Sequence, residues 1–76
     1  MRVEWSDMDI VAGQVYGRPQ TAERWIIGYV QPPDGPVEFT SISLTDGLVQ
    51  PTRPKAEIAA HLNSGGYLPI QLLESR

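Results

Sequence analysis

The chain has 76 residues, of which 41% are hydrophobic and 20% charged, and a formal charge of −3. That length holds one domain, residues 1–76, and the composition is that of a globular chain rather than a disordered one. With no cysteine there is no disulfide framework, no thiolate nucleophile and no cysteine-based zinc or iron–sulfur site.

Residues 1–9 carry Glu4, Asp7 and Asp9 and no apolar core, so they do not read as a signal peptide. No apolar run approaches the roughly 20 residues that cross a bilayer. Together with the missing cysteines, this points to the cytoplasm and away from a membrane. The chain starts at Met1 and shows no tag, and it reads as a small protein in its own right. Its negative charge repels nucleic acid at long range, which argues against a nucleic-acid partner.

Seven Gly and seven Pro in so short a chain cut it into brief elements. Residues 10–16 are β-rich, and Gly13 weakens them as a strand. Residues 25–30, Trp-Ile-Ile-Gly-Tyr-Val, are the best strand. Trp25, Ile27 and Tyr29 share one face, and Ile26 and Val30 share the other. The Pro32-Pro33-Asp34-Gly35-Pro36 stretch then turns the chain into a return strand over residues 37–44. The apolar parity of that strand slips between Phe39 and Ile42. Either a β-bulge near Thr40 and Ser41 restores the phase, or the strand is covered on both faces. Asp46-Gly47 reads as a two-residue hairpin turn of type I′ into a short strand ended by Pro51.

One helix is expected from Pro54, as its first residue, to about Asn63, with Arg53 before it as N-cap and Gly65-Gly66 as its stop. Residues 67–72 read as a final strand with Leu68, Ile70 and Leu72 inward. Pro69 sends that strand to an edge. Residues 74–76 form a short tail. The order β-β-β-β-α-β predicts an α+β fold: a small, twisted, mainly antiparallel sheet with one helix packed on a face. A small β-barrel is the alternative. Trp25, Ile27, Phe39, Ile42, Leu44, Ile58, Leu62 and Ile70 are the expected core.

Few residues point to chemistry. His61 is the sole histidine, and Glu57 stands one helical turn before it. That spacing predicts a surface ion pair, with a metal or enzyme site around Glu57 and His61 as the sharper alternative. Asp7 and Asp9 could do acid–base work or hold a hard cation, and read first as a solvated acidic stretch. Arg53 and Lys55 at the helix start oppose the macrodipole and form a weak candidate anion site. There is no phosphate-binding glycine loop and no nucleophile elbow, and no cofactor, metal or catalytic set is expected.

One helix cannot cover both faces of a sheet. The leading expectation is therefore a stand-alone binding protein, a regulator or inhibitor that docks on a larger protein. Short accessory proteins of phage or bacterial type share this profile. Trp5, Tyr16, Arg24 and Tyr29 are the expected partner-binding residues, because Trp, Tyr and Arg dominate binding hot spots. A homodimer is a further outcome of the same exposed face. A nucleic-acid module built on Arg24, Arg53 and Lys55 is the alternative function.

Overall fold

The structure, a computed structural model, describes residues 3–74. Met1 and Arg2 at the start, and Ser75 and Arg76 of the expected tail, lie outside the described residues. A 3-10 turn, Asp7–Asp9, leads into β1 (Val15–Gly17), β2 (Arg24–Val30) and β3 (Glu38–Ser43). After these come α1 (Lys55–Ser64), β4 (Leu68–Pro69) and a single-turn α2 (Ile70–Leu73). The strands form one antiparallel sheet in the order β3-β2-β1-β4. The α+β class expected from the sequence is the one observed. The sheet stays open, which removes the barrel alternative.

Opposed residues in a ladder share a face, so the register sorts the side chains. Tyr16 pairs with Trp25 and Trp25 with Ser43; Ile27 pairs with Ser41 and Tyr29 with Phe39. This is the face that α1 covers. Tyr16 and Ile27 join Ile58, Ala59 and Leu62 of the helix, together with Trp5, Ile10 and Tyr67, in one core cluster, and Trp25 and Phe39 pack against it. Val15, Ile26 and Ile42 point the other way. The shortest extent of the molecule, 18 Å, fits a sheet and one helix layer spaced about 10 Å apart, and no third layer.

The strand expected over residues 10–16 is only Val15–Gly17. Gly13 has φ +95°, and Gly13 and Gln14 both stand opposite Ile27: the Gly13 N–H donates to the Ile27 carbonyl, and the Ile27 N–H donates to that of Gln14. This is a β-bulge with glycine in the left-handed position. It turns the preceding chain inward and buries Ile10 completely.

The parity slip in β3 has a different resolution from a bulge at Thr40 and Ser41. The β2–β3 register is unbroken from Trp25↔Ser43 to Val30↔Glu38. Phe39 therefore faces the helix and Ile42 the open side. The extra residue sits in the neighbouring chain. Residues 48–53 run along the outer edge of β3, pairing Val49 with Ile42 and Arg53 with Phe39. Three steps on β3 are thus matched by four on this outer segment, which carries Pro51 and replaces the short strand expected there.

Leu44 belongs to the turn and is exposed, not core. The turn is also not type I′. Gly47 has φ +76°, as expected, but among the described residues no non-glycine residue has positive φ. Leu44, Thr45, Asp46 and Gly47 instead make a four-residue loop. The Gly47 N–H donates to Ser43 O, and the Ser43 N–H donates to Leu48 O. The Ser43 hydroxyl accepts from the N–H groups of Thr45 and Asp46, and the Asp46 carboxylate accepts from that of Leu48.

Pro54 is the N-cap of α1, one place later than expected, with extended ψ of 154°. At the other end Tyr67 N–H donates to Leu62 O and Gly66 N–H to Asn63 O, with Gly66 at φ +72°. That pair of bonds is the Schellman stop, and it sets Tyr67 down on the helix it has just left. The last strand is two residues long, because the chain turns into α2 at Ile70. Ile70 and Leu72 are therefore half-buried helical residues rather than inward strand positions. Pro69 does lie on the edge strand, opposite Tyr16.

Candidate functional site

A half-open cleft of about 190 Å³ lies between α1 and the outer segment, on the helix-covered side of the sheet. Its floor is Tyr16, Trp25 and Ser41, from three adjacent strands. The helix side supplies Ile58 and His61, with Tyr67 just beyond the Schellman turn. The outer segment supplies Gln50, Pro51 and Arg53. Among the described residues no Asp or Glu side chain lines it, although acids outnumber bases nine to six in the chain.

The floor is fixed by an aromatic chain. Trp5 meets Tyr16 edge-on at 5.9 Å between centroids, and Tyr16 meets Tyr67 edge-on at 5.3 Å. Tyr16 donates its hydroxyl to Ser41 Oγ at 2.6 Å. Burial pushes the Tyr16 hydroxyl above its ordinary pKa, against the opposing pull of that hydrogen bond. Arg18 stacks on the Tyr67 ring, 4.4 Å from its centroid, and donates to its hydroxyl. The Nε1–H of Trp25 is buried and has no hydrogen-bond partner among the described residues. An orphaned indole donor is a cost of about 1–3 kcal/mol.

His61 turns its ring to Tyr67, 5.7 Å away between centroids. No ion pair joins it to Glu57 among the described residues, so the expected helical pair is not what positions it. Arg53 and Lys55 do not form one anion site. Arg53 lines the cleft, whereas the Lys55 ammonium sits over the Phe39 ring at 5.0 Å, on another wall. Asp9 closes its own turn, accepting from the N–H and hydroxyl of Ser6. Among the described residues no group of three or more His, Cys, Asp or Glu side chains could hold a metal ion.

The four expected partner-binding residues are scattered. Trp5 is buried, its Nε1–H donating to Tyr67 O and its backbone held by Asn63. Tyr16 is buried under the helix. Neither is displayed at the surface. Arg24 is half-buried and folds onto its own loop, donating to the carbonyls of Thr21 and Glu23. Tyr29 alone is well exposed, at 58%. It lines a shallow apolar groove with Phe39, Val37, Val11 and Lys55.

Sequence reasoning missed a second surface. Val15, Ile26, Ile42 and Val49 are direct cross-strand neighbours in turn, so they form one apolar row across the uncovered face. Val49 is 59% exposed, and Leu44 and Val30 are exposed nearby. The signal in the sequence is the even-numbered apolar residues of β2 and β3, Ile26, Val30 and Ile42, which the single helix leaves over.

The chain is thus a two-layer α+β domain with a half-open cleft on its helical side and, on the other, a half-buried apolar row that ends at exposed Val49. Comparison with protein-family models, curated proteins and solved structures finds no match. No helix among the described residues is long and apolar enough to cross a membrane.

Proposed function

We propose that this chain is a cytoplasmic binding protein, a regulator or inhibitor rather than an enzyme, that docks one-to-one on a larger protein through its open sheet face. The observation that carries the reading is the row Val15, Ile26, Ile42 and Val49, aligned across β1, β2, β3 and the outer segment, half-buried from Val15 to Ile42 and exposed at Val49. A flat apolar row is what the core of a protein interface requires. The molecule's longer extents, 44 × 26 Å, give room for the roughly 800 Å² per partner of a standard interface. Docking by strand addition is less favoured. One edge of the sheet carries Pro69, and the outer segment occupies the other. The nucleic-acid alternative loses its basic patch, because Arg24 is folded on its loop and Arg53 and Lys55 diverge.

A photo-crosslinking phenylalanine analogue at Val49, in the cells that make the protein, tests the proposal. The expected result is one adduct whose mass is that of the chain plus a single larger protein, lost when Ile42→Asp is added. Leu44→Asp, at an exposed turn position, repeats the test without touching half-buried surface. An adduct of twice the chain's mass, an adduct with nucleic acid, or no adduct overturns it.

A further inference from the structure

The cleft on the opposite side carries a second, independent inference: we propose that it binds a small aromatic carboxylate. Its size sets the first limit. A cavity of about 150 Å³ takes one benzene ring, so about 190 Å³ holds a single ring with one small substituent. A drug-sized molecule would need about 300 Å³ or more.

The walls set the second limit. Trp25, Tyr16 and Tyr67 give aromatic edges and faces, and Ile58 and Pro51 complete an apolar slot for a planar ring. The third limit is charge. Arg53 lines the mouth, with the His61 imidazole and the Gln50 amide as further donors, and no carboxylate among the described residues lines the cleft beside them. In a chain of net charge −3, a cleft lined by cation and donor without an acid selects an anionic group. Arg53 suits a carboxylate, because its planar guanidinium matches the two oxygens.

Arg53 can be changed without unfolding the protein. It is held by its backbone, whose N–H and carbonyl exchange hydrogen bonds with Phe39, while the residue itself is exposed. The two tryptophans of the chain give separate indole N–H signals. Trp25 lines the cleft, and Trp5, which donates to the Tyr67 carbonyl, does not.

The test is a titration of the full chain, followed by the indole N–H resonances, with three probes: benzoate, its neutral counterpart benzamide, and inorganic phosphate. Benzoate should shift the Trp25 signal saturably, with a dissociation constant on the order of 1 mM for so small a ligand, while Trp5 moves less. Benzamide should bind about tenfold more weakly. Arg53→Gln should bring benzoate down to the level of benzamide while leaving the rest of the spectrum in place, and His61→Gln should weaken it by a smaller factor. No saturable shift by about 50 mM benzoate overturns the proposal. So does equal binding of benzamide, which would remove the charge, or equal binding of phosphate, which would remove the ring. The crosslinking test at Val49 reads the other face, so either reading can fail alone.

Discussion

Replacing Asn63 with alanine should cost the domain more than an exposed helical substitution ordinarily does. The Asn63 side chain clamps the backbone of Trp5. Its Oδ1 accepts from the Trp5 N–H at 2.6 Å and its Nδ2 donates to the Trp5 carbonyl at 2.9 Å. The clamp spans nearly the whole chain and holds the Trp5 indole over the core, where Nε1 donates to Tyr67 O. Alanine removes both bonds and leaves an N–H and a carbonyl half-buried. Each such group costs about 1–3 kcal/mol when dry, and less where water reaches it. Alanine also favours the helix over asparagine by up to about 0.7 kcal/mol. The net loss is about 2 kcal/mol. A domain of this size has roughly 4–11 kcal/mol of stability. At about 4–8 °C per kcal/mol, the melting temperature should fall by roughly 8–16 °C. Thermal melts followed by circular dichroism read this directly, and Trp5 emission should move to the red as its cover loosens. Ser64→Ala, which removes only an exposed hydroxyl bonded within the helix, is the control. An Asn63→Ala variant melting at or above the parent would refute the clamp, because helix propensity alone predicts a rise.

Leu62 is completely buried in the last turn of α1, and Leu62→Ala should lose about 2–5 kcal/mol in a urea titration. A Cβ on Gly17 would run into the Glu23 carbonyl and the Arg24 side chain, so Gly17→Ala should lower the melting temperature by more than Gly13→Ala, where a Cβ meets nothing within 4 Å and the cost is only the backbone strain of φ +95°. Asp46 is held below its ordinary pKa of 3.8, first by the Leu48 N–H and then by Ser43. The stabilisation is present above 3.8 and is lost as pH falls through the lowered value. The melting-temperature gap between the parent and Asp46→Asn should therefore close in acid, and a gap independent of pH would refute the turn geometry.

How far the fold was legible differs by element, for physical reasons. β2 was read correctly because β-branched and aromatic residues on both parities have no comparable helical pattern. The end of α1 was read from Gly65 and Gly66, since only glycine takes the left-handed turn cheaply. Tyr67 was assigned to a strand, yet an apolar residue directly after such a turn commonly packs back on the helix. The sequence offers Trp5 as a surface anchor, because nothing in residues 3–9 is periodic. Its burial depends on Asn63, which lies far along the chain. Leu44 was placed in the core by extending strand parity one residue into a turn. The cleft left no local trace at all. Its residues come from three strands, the helix and the outer segment, and no two of its polar groups stand in a recognised spacing. Its Arg53 stands out in the sequence for its place beside the helix start, and the structure moves the reason from the dipole to the cleft.

The outer segment joins the two surfaces, and one hydroxyl tests how. Val49 stands on the open face and Arg53 lines the cleft, only four residues apart on the same stretch of chain. Between them the Gln50 carbonyl accepts from the Thr40 hydroxyl at 2.5 Å, and the Gln50 N–H donates to Ser41 O. Thr40 is buried, so Thr40→Val keeps nearly the same shape and removes the donor. The Gln50 carbonyl then has no replacement within the ladder, at a cost of about 1–2 kcal/mol. The loss should be local, because β2 and β3 keep their full register. Amide hydrogen exchange should quicken at Gln50 and Arg53, whose N–H groups tie the segment to β3, and stay slow at Ile27, whose N–H is bound to Gln14 O beneath the helix. The same variant should weaken both crosslinking at Val49 and benzoate binding, since each needs the segment in place. Exchange rising equally at Gln50 and Ile27 would show that the segment is not a separable unit. Unchanged exchange at both would show that the Thr40 hydroxyl does not hold it.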